Sequence, residues 1–217
     1  MSHDKISGHS PLPGTKVLLW INGPSGVGKT ATAFELNRRL PGSVVCDPEH
    51  VGVGMRRMLP PSLRRNRWQD IPAWRHSVLE LLRLTLTEHD GPVIAPAALV
   101  NYGHFQEIIG SLRDDGFQLH HFALLAEPAT VVRRLRARSL GTEPRTQTWE
   151  AEVLDGWLEQ LRRPEFAQHV HTDHRTVAQV ADIISRSAGL EIKPSAGGPM
   201  RAWLHRYATT VRNVRWN

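Results

Sequence analysis

The segment Gly23-Pro24-Ser25-Gly26-Val27-Gly28-Lys29-Thr30 follows directly on the apolar run Val17-Leu18-Leu19-Trp20-Ile21 and leads into Ala31–Leu40, which has the composition of a helix. A G-x-x-x-x-G-K-T loop set between a buried strand and a helix restricts the fold more than any other stretch of this chain. The glycines let consecutive backbone N–H groups curl round phosphate oxygens, the lysine reaches the β- and γ-phosphates, and the threonine hydroxyl is a ligand for Mg²⁺. The helix that follows points its positive end at the same anion. The pattern therefore predicts a nucleoside triphosphate site made of Gly23, Pro24, Ser25, Gly26, Val27, Gly28, Lys29 and Thr30, with ATP and Mg²⁺ as its cofactors.

Apolar and helical stretches alternate along the rest of the chain. Short strands are expected near 16–22, 43–46, 92–96, 118–126 and 169–173. Helices are expected at 31–40, in a broken form over 51–70, and at 73–89, 104–115, 129–139, 149–162 and 176–188. Strands alternating with helices make a parallel sheet with right-handed crossovers. The reading is an α/β P-loop kinase fold with five parallel strands between helices. The 217 residues suit one such domain over 15–190, preceded by a polar tail (1–14). A lid is expected at about 133–148. Ile192 to Pro199 reads as a linker, and 200–217 as a basic amphipathic helix carrying Trp203, Tyr207, Val211 and Val214 with Arg201, Arg206, Arg212 and Arg215. Three fates are open to that helix: an anionic membrane, a partner such as a second copy, or its own domain.

The N-terminus has no signal-peptide core, no 18-residue apolar run is present, and Cys46 is the single cysteine, so a cytoplasmic protein with peripheral membrane contact at most is expected. The formal charge is +6, and 27 Lys and Arg include only four lysines (Lys5, Lys16, Lys29, Lys193). Guanidinium forks suit phosphate and carboxylate oxygens. The arginines fall in separate clusters and no nucleic-acid motif accompanies them, which favours ATP and an anionic surface over nucleic acid.

In an open parallel sheet, ligands bind beyond the carboxyl ends of the strands. Asp47 stands at such an end. Its carboxylate there suits a base for an acceptor hydroxyl or a ligand to Mg²⁺ or its waters, while Asp47-Pro48-Glu49 is also good helix-capping chemistry. The third strand runs out into Ala95-Pro96-Ala97-Ala98, without the aspartate that motor and switch NTPases place there. That departure fits a metabolite-type kinase. Arg133, Arg134, Arg136 and Arg138 precede a Gly/Pro-containing stretch, and Arg134 and Arg138 are the lid arginines expected to close on the transferred phosphoryl group. The acceptor is expected among Arg56, Trp68, Asp70, Trp74, Arg75, Tyr102 and Glu107. Aromatics beside arginines suit a ring and oxygen-rich groups, although Trp74 also fits a core position. No His/Cys/Asp cluster has zinc spacing.

Several of these stretches together resemble the tunicamycin-resistance, ATP-binding P-loop proteins of bacteria. They are Trp20-Ile21-Asn22-Gly23, Thr32-Ala33-Phe34-Glu35-Leu36, Asp47-Pro48-Glu49 with Gly52, and Gln69-x-x-Pro72-x-Trp74-Arg75. Phe105-x-Glu107-Ile108-Ile109-Gly110, His120-His121-Phe122-x-Leu124, Arg134-Leu135-Arg136-x-Arg138 and Thr172-Asp173 complete the set. The resemblance spans about 16–190. It implies antibiotic resistance, ATP bound at Gly23–Thr30, and Thr172 and Asp173 beside the adenine or ribose. It implies as partner an antibiotic such as tunicamycin or another nucleoside drug, either phosphorylated on a hydroxyl or sequestered at the membrane unchanged. An aminoglycoside acceptor would need acidic partners, for which Asp70 and Glu107 are the candidates.

Overall fold

The computed structural model describes residues 16–138 and 144–195. The tail (1–14), the centre of the expected lid (139–143) and the basic C-terminal helix (200–217) lie outside the described residues. Five parallel strands form one sheet in the order β2-β3-β1-β4-β5: β1 Val17–Asn22, β2 Val44–Val45, β3 Val93–Pro96, β4 Gln118–Leu125 and β5 His169–His171. The chain steps to one side of β1 for β2 and β3 and to the other for β4 and β5. The carboxyl end of β1 is thus the switch point at which an open α/β sheet binds its ligand, and the glycine-rich loop leaves from that end.

Every residue of β1 is buried, as expected of a central strand covered on both faces. Helices α1 (Lys29–Arg39), α2 (Glu49–Met58) and α3 (Pro72–Glu88) lie between β1 and β3. On α3 the core stripe is Trp74, Val78, Leu82 and Leu86, with Arg75. Leu81, expected on that stripe, is 45% exposed. One helix expected at 104–115 is α4 (Tyr102–Phe105) and α5 (Ser111–Asp114) joined by a wide π turn at Gln106–Gly110. Helix α6 covers Pro128–Arg138, and α8 (Val177–Ser187) opens on a capping box in which Thr176 and Gln179 satisfy each other's backbone N–H. Helix α7 runs from Pro144 to Leu161, five residues earlier than its apolar pattern indicates. Proline suits a first helical turn, where its missing N–H costs nothing, so most of the expected lid loop is helical.

Two close approaches fix the second layer. A Cβ at Gly52 would lie 2.5 Å from Trp68 Cδ2, so only glycine lets the indole rest on α2. On the opposite side of the sheet, the Arg39 side chain is only 4% exposed. Its guanidinium donates to Asp182 Oδ1 at 2.5 Å, Lys193 O at 2.7 Å and Ala178 O at 3.3 Å, and Lys193 N returns a bond to Arg39 O at 2.8 Å. Arg39 thereby joins the helix behind the phosphate loop to α8 and to the first residues of the expected linker. Removing it leaves two carbonyls and a half-buried carboxylate short of a partner. Arg39→Met is expected to cost about 2 kcal/mol in urea unfolding with an unchanged m value; a loss below about 0.5 kcal/mol would show that Arg39 contributes packing alone.

Candidate active site

The loop after β1 is drawn tight by its first residue. Gly23 takes φ 144°, and a Cβ there would sit 2.7 Å from Val27 Cγ1 and 2.8 Å from Leu124 O. Lys29 is 6% exposed and its Nζ donates to Pro24 O at 3.1 Å, which holds the ammonium at the rim of the loop. Thr30 follows in the first turn of α1, where backbone N–H groups have no carbonyl one turn back and face outward. The loop and the start of α1 supply N–H donors, one ammonium and one hydroxyl, a donor set that suits a triphosphate.

Behind the loop lies a buried polar knot. Asn22 is fully buried. Its Oδ1 accepts from Gly23 N at 2.8 Å and Leu99 N at 2.9 Å, and its Nδ2 donates to Leu99 O at 2.8 Å and to His121 Nε2 at 3.2 Å. The two backbone donors fix which amide atom is the oxygen. The remaining amide nitrogen can only donate, so His121 Nε2 accepts and Nδ1–H donates to Ala167 O at 3.3 Å. Burial pushes the His121 pKa down to about 4, which agrees with a neutral ring. Neither Asn22 nor His121 belongs to a local spacing that signals a functional role. The available signal was an asparagine ending a strand that is otherwise apolar.

Asp47 lies just past β2, and its Oδ1 accepts from Glu49 N at 2.9 Å, so the capping contact is present. Burial, reinforced by Glu49, pushes its pKa up to about 6, while Lys29 among others pulls it down. Cys46 before it is half-buried, and burial raises its thiol pKa. Among the described residues no group of three or more His, Cys, Asp or Glu could hold a metal. The donors at hand, the Thr30 hydroxyl and the Asp47 carboxylate, fit an ion such as Mg²⁺ that keeps several waters and otherwise binds phosphate oxygens.

Arg134 is not a free lid residue. It reaches back from α6 to Thr172 Oγ1 at 2.9 Å, Thr172 O at 2.8 Å and Val27 O at 3.3 Å, and partial burial lowers its pKa. Three acceptors commit the guanidinium to tying α6, the phosphate loop and the end of β5 together. Thr172 is nearly buried, and the Asp173 carboxylate accepts from Glu127 N at 3.1 and 3.3 Å. Arg134, Thr172 and Asp173 thus form one wall beside the loop. Arg138 ends α6, and its side chain lies outside the described residues.

Among the expected acceptor residues, Trp74 is corrected. It is fully buried, and its Nε1 donates to Pro48 O at 3.1 Å. It is core, and it braces the turn that carries Asp47. Arg75 is also drawn inward, bonded to Glu107 and donating to Gln69 O at 2.6 Å. Asp70 is held by Arg67 at 2.7 and 2.8 Å, which keeps its carboxyl below the ordinary range. Trp68 lies half-buried on Gly52, and Arg56 is exposed in the last turn of α2. Tyr102 is 40% exposed and packs on Phe105 and Phe166. A small cleft is lined by Arg67, Gln69, Asp70, Ala98, Val100, Asn101, His104 and Trp157. Asp70 thus shares a cleft with residues that carry no motif signal, such as Asn101 and Trp157.

The family model described as AAA domain matches residues 18–164. The tunicamycin resistance protein of Deinococcus radiodurans superposes with a TM-score of 0.67 at 32% identity, over 82% of this chain and 98% of that one. A gluconokinase from Sinorhizobium meliloti 1021 gives 0.56 at 16% identity, covering 82% and 91%. The APS kinase of Mycobacterium tuberculosis, solved with AMPPNP and APS, gives 0.54 at 19% identity, covering 81% and 98%. No curated protein matches the chain.

The buried neutral His121 has a consequence for acid stability. Between pH 6.5 and about 4 the unfolded chain takes up a proton on this ring that the folded chain refuses, so the contribution is present above pH 6.5 and is lost as pH falls. Wild type is expected to lose about 2 kcal/mol more than His121→Phe between pH 7 and 5 in urea titrations. Equal acid losses would place the titration elsewhere.

Proposed function

The chain belongs to the AAA-domain family and to the tunicamycin-resistance proteins, and we propose that it is an ATP-dependent phosphotransferase acting on a hydroxyl of an antibiotic, tunicamycin or a related nucleoside drug. The observation that carries this reading is the likeness to the Deinococcus radiodurans protein over nearly that protein's whole length. A phosphate loop and a carboxylate at the neighbouring strand end support it.

ATP is the donor. The acceptor oxygen attacks the γ-phosphorus in line, the bond from that phosphorus to the β–γ bridging oxygen breaks, ADP leaves, and the hydroxyl proton passes to Asp47. With a pKa of about 6 the Asp47 carboxylate is mostly ionised near neutral pH and still basic enough to accept that proton. Lys29 and the loop N–H groups balance charge on the phosphates. Bound Mg²⁺ supplies further neutralisation, with Thr30 and Asp47 as the residues that would hold it or its waters. Arg134, Thr172 and Asp173 line the nucleotide side. Arg56, Trp68, Tyr102 and the Arg67–Asp70 cleft form the acceptor side, and Arg138 is the remaining lid arginine. Asp70 and Glu107 already hold arginines, which disfavours a polycationic aminoglycoside and suits a neutral, oxygen-rich acceptor.

Incubation of the protein with MgATP and a panel of nucleoside antibiotics is expected to raise the mass of one drug by a single phosphoryl group. Tight ATP-dependent binding of a drug whose mass stays unchanged would replace phosphorylation by sequestration. Asp47→Asn is expected to slow transfer by roughly a hundredfold or more while leaving nucleotide affinity nearly intact; undiminished turnover would remove Asp47 from the chemistry. Lys29→Met is expected to weaken ATP binding by about tenfold or more in calorimetry, and unaltered affinity would contradict the loop assignment.

A further inference from the structure

Where the sheet ends, a side chain takes over from the backbone. Just past β3, Ala97 N still bonds Ile21 O on the neighbouring strand at 3.1 Å. Two residues on, both backbone groups of Leu99 go to the Asn22 amide instead, with N–H on Oδ1 at 2.9 Å and O on Nδ2 at 2.8 Å. The same Oδ1 accepts from Gly23 N at 2.8 Å, and the same Nδ2 donates to His121. An amide is a planar unit, so a shift of Gly23 that turns it also moves its two bonds to Leu99. Leu99 is fully buried, and its neighbours Ala98, Val100 and Asn101 line the Arg67–Asp70 cleft. One side chain therefore joins the first residue of the phosphate loop to the wall of that cleft.

At the other end of these contacts is a bond that a nucleotide would contest. Lys29 Nζ donates to Pro24 O at 3.1 Å, and a triphosphate in the loop draws the same ammonium to its own oxygens. Pro24 follows Gly23 directly. A Cβ at Gly23 would lie 2.7 Å from Val27 Cγ1 and 2.8 Å from Leu124 O, so the backbone there is packed too closely to absorb a change at Pro24. We propose that Asn22 couples the nucleotide site to the cleft: bound nucleotide resets the entry of the phosphate loop, the Asn22 amide turns with it, and the loop after β3 is held in one arrangement. Asn22 is then a positioning residue, and the donor binds before the acceptor. The coupling rests on the nucleotide half of the proposed function and holds whether the drug is phosphorylated or only sequestered.

The test follows single amides of the isotope-labelled full chain by hydrogen exchange, with MgAMPPNP binding measured by calorimetry on the same sample. Val44 N, which bonds Pro92 O at 3.0 Å at the amino end of the sheet, reports stabilisation of the whole fold by the ligand. Saturating MgAMPPNP is expected to slow exchange at Leu99 N by roughly tenfold more than at Val44 N, a usual size for coupling between two sites. Asn22→Ala is expected to remove that difference while the loop still binds nucleotide. Asn22→Asp, whose Oδ1 can still accept from Gly23 N and Leu99 N, is expected to keep most of it. A side chain that only held the fold together would lower urea stability in Asn22→Ala and leave Leu99 and Val44 slowed alike in the wild type. Equal slowing in the wild type, a comparison that needs no variant to fold, would overturn the coupling and leave the phosphate-loop assignment intact. An undiminished difference in Asn22→Ala would do the same. Absence of MgAMPPNP binding would overturn both.

Discussion

The side chain of Asn22 holds the two halves of the site in one frame. It sits at the last position of a wholly buried strand, where an unsatisfied amide would carry a penalty of several kcal/mol, yet all four of its hydrogen-bonding positions are filled. One bond fixes the first N–H of the phosphate loop. Two more clamp Leu99, in the loop that follows β3, and the fourth reaches β4 through His121. A hydrophobic residue would bury as well at that position but would leave Gly23 N and both Leu99 groups without partners. The register of the sheet makes the knot possible, because Trp20, two residues earlier on the same face, pairs alongside His121. The phosphate loop and the loop after β3 are therefore positioned against each other by one buried side chain.

The second support is behind the loop. Helix α1 begins at Lys29, so any tilt of that helix moves the lysine and the N–H groups that face a phosphate. Its far end is pinned by Arg39 to α8 and to Lys193, and its near end is met by Arg134, which bonds Val27 O and the end of β5. The donor half is thus held at both ends of the helix. The proposed acceptor half rests on α2 and short turns, where exposed side chains are common, as would suit a region that admits a substrate.

That difference explains what could be read from the sequence. The phosphate loop is encoded in backbone-permissive glycines and one lysine at fixed offsets, so its place and its ligand class are legible from eight residues, as is the alternation that makes the parallel sheet. The proposed acceptor side is assembled from residues far apart in sequence, Arg67 and Asp70 lining one cleft with Asn101 and Trp157, and no local spacing announces such a grouping. Trp74 shows the limit most plainly. Its neighbours Arg75 and Gln69 make it look like a pocket residue, yet helical periodicity puts it in line with Val78, Leu82 and Leu86, and the core takes it. Arg134 shows the converse, since an arginine on an exposed-looking helix face turns inward because three acceptors lie within reach.

The arginine excess that dominates the composition divides on the same physical grounds. Arg39, Arg75 and Arg134 are drawn inward by carboxylates and carbonyls, and each joins segments distant in sequence, work for which the planar five-donor fork is better suited than an ammonium. These arginines are structural ties, so they do not mark the surface as a polyanion-binding one. Arg64 and Arg65, in the turn after α2, are different, because the carbonyls they meet leave their charge in place. A composition-level inference from net charge to partner therefore holds only for the arginines that remain after the inward-facing ones are subtracted, and in this chain that remainder includes Arg64 and Arg65.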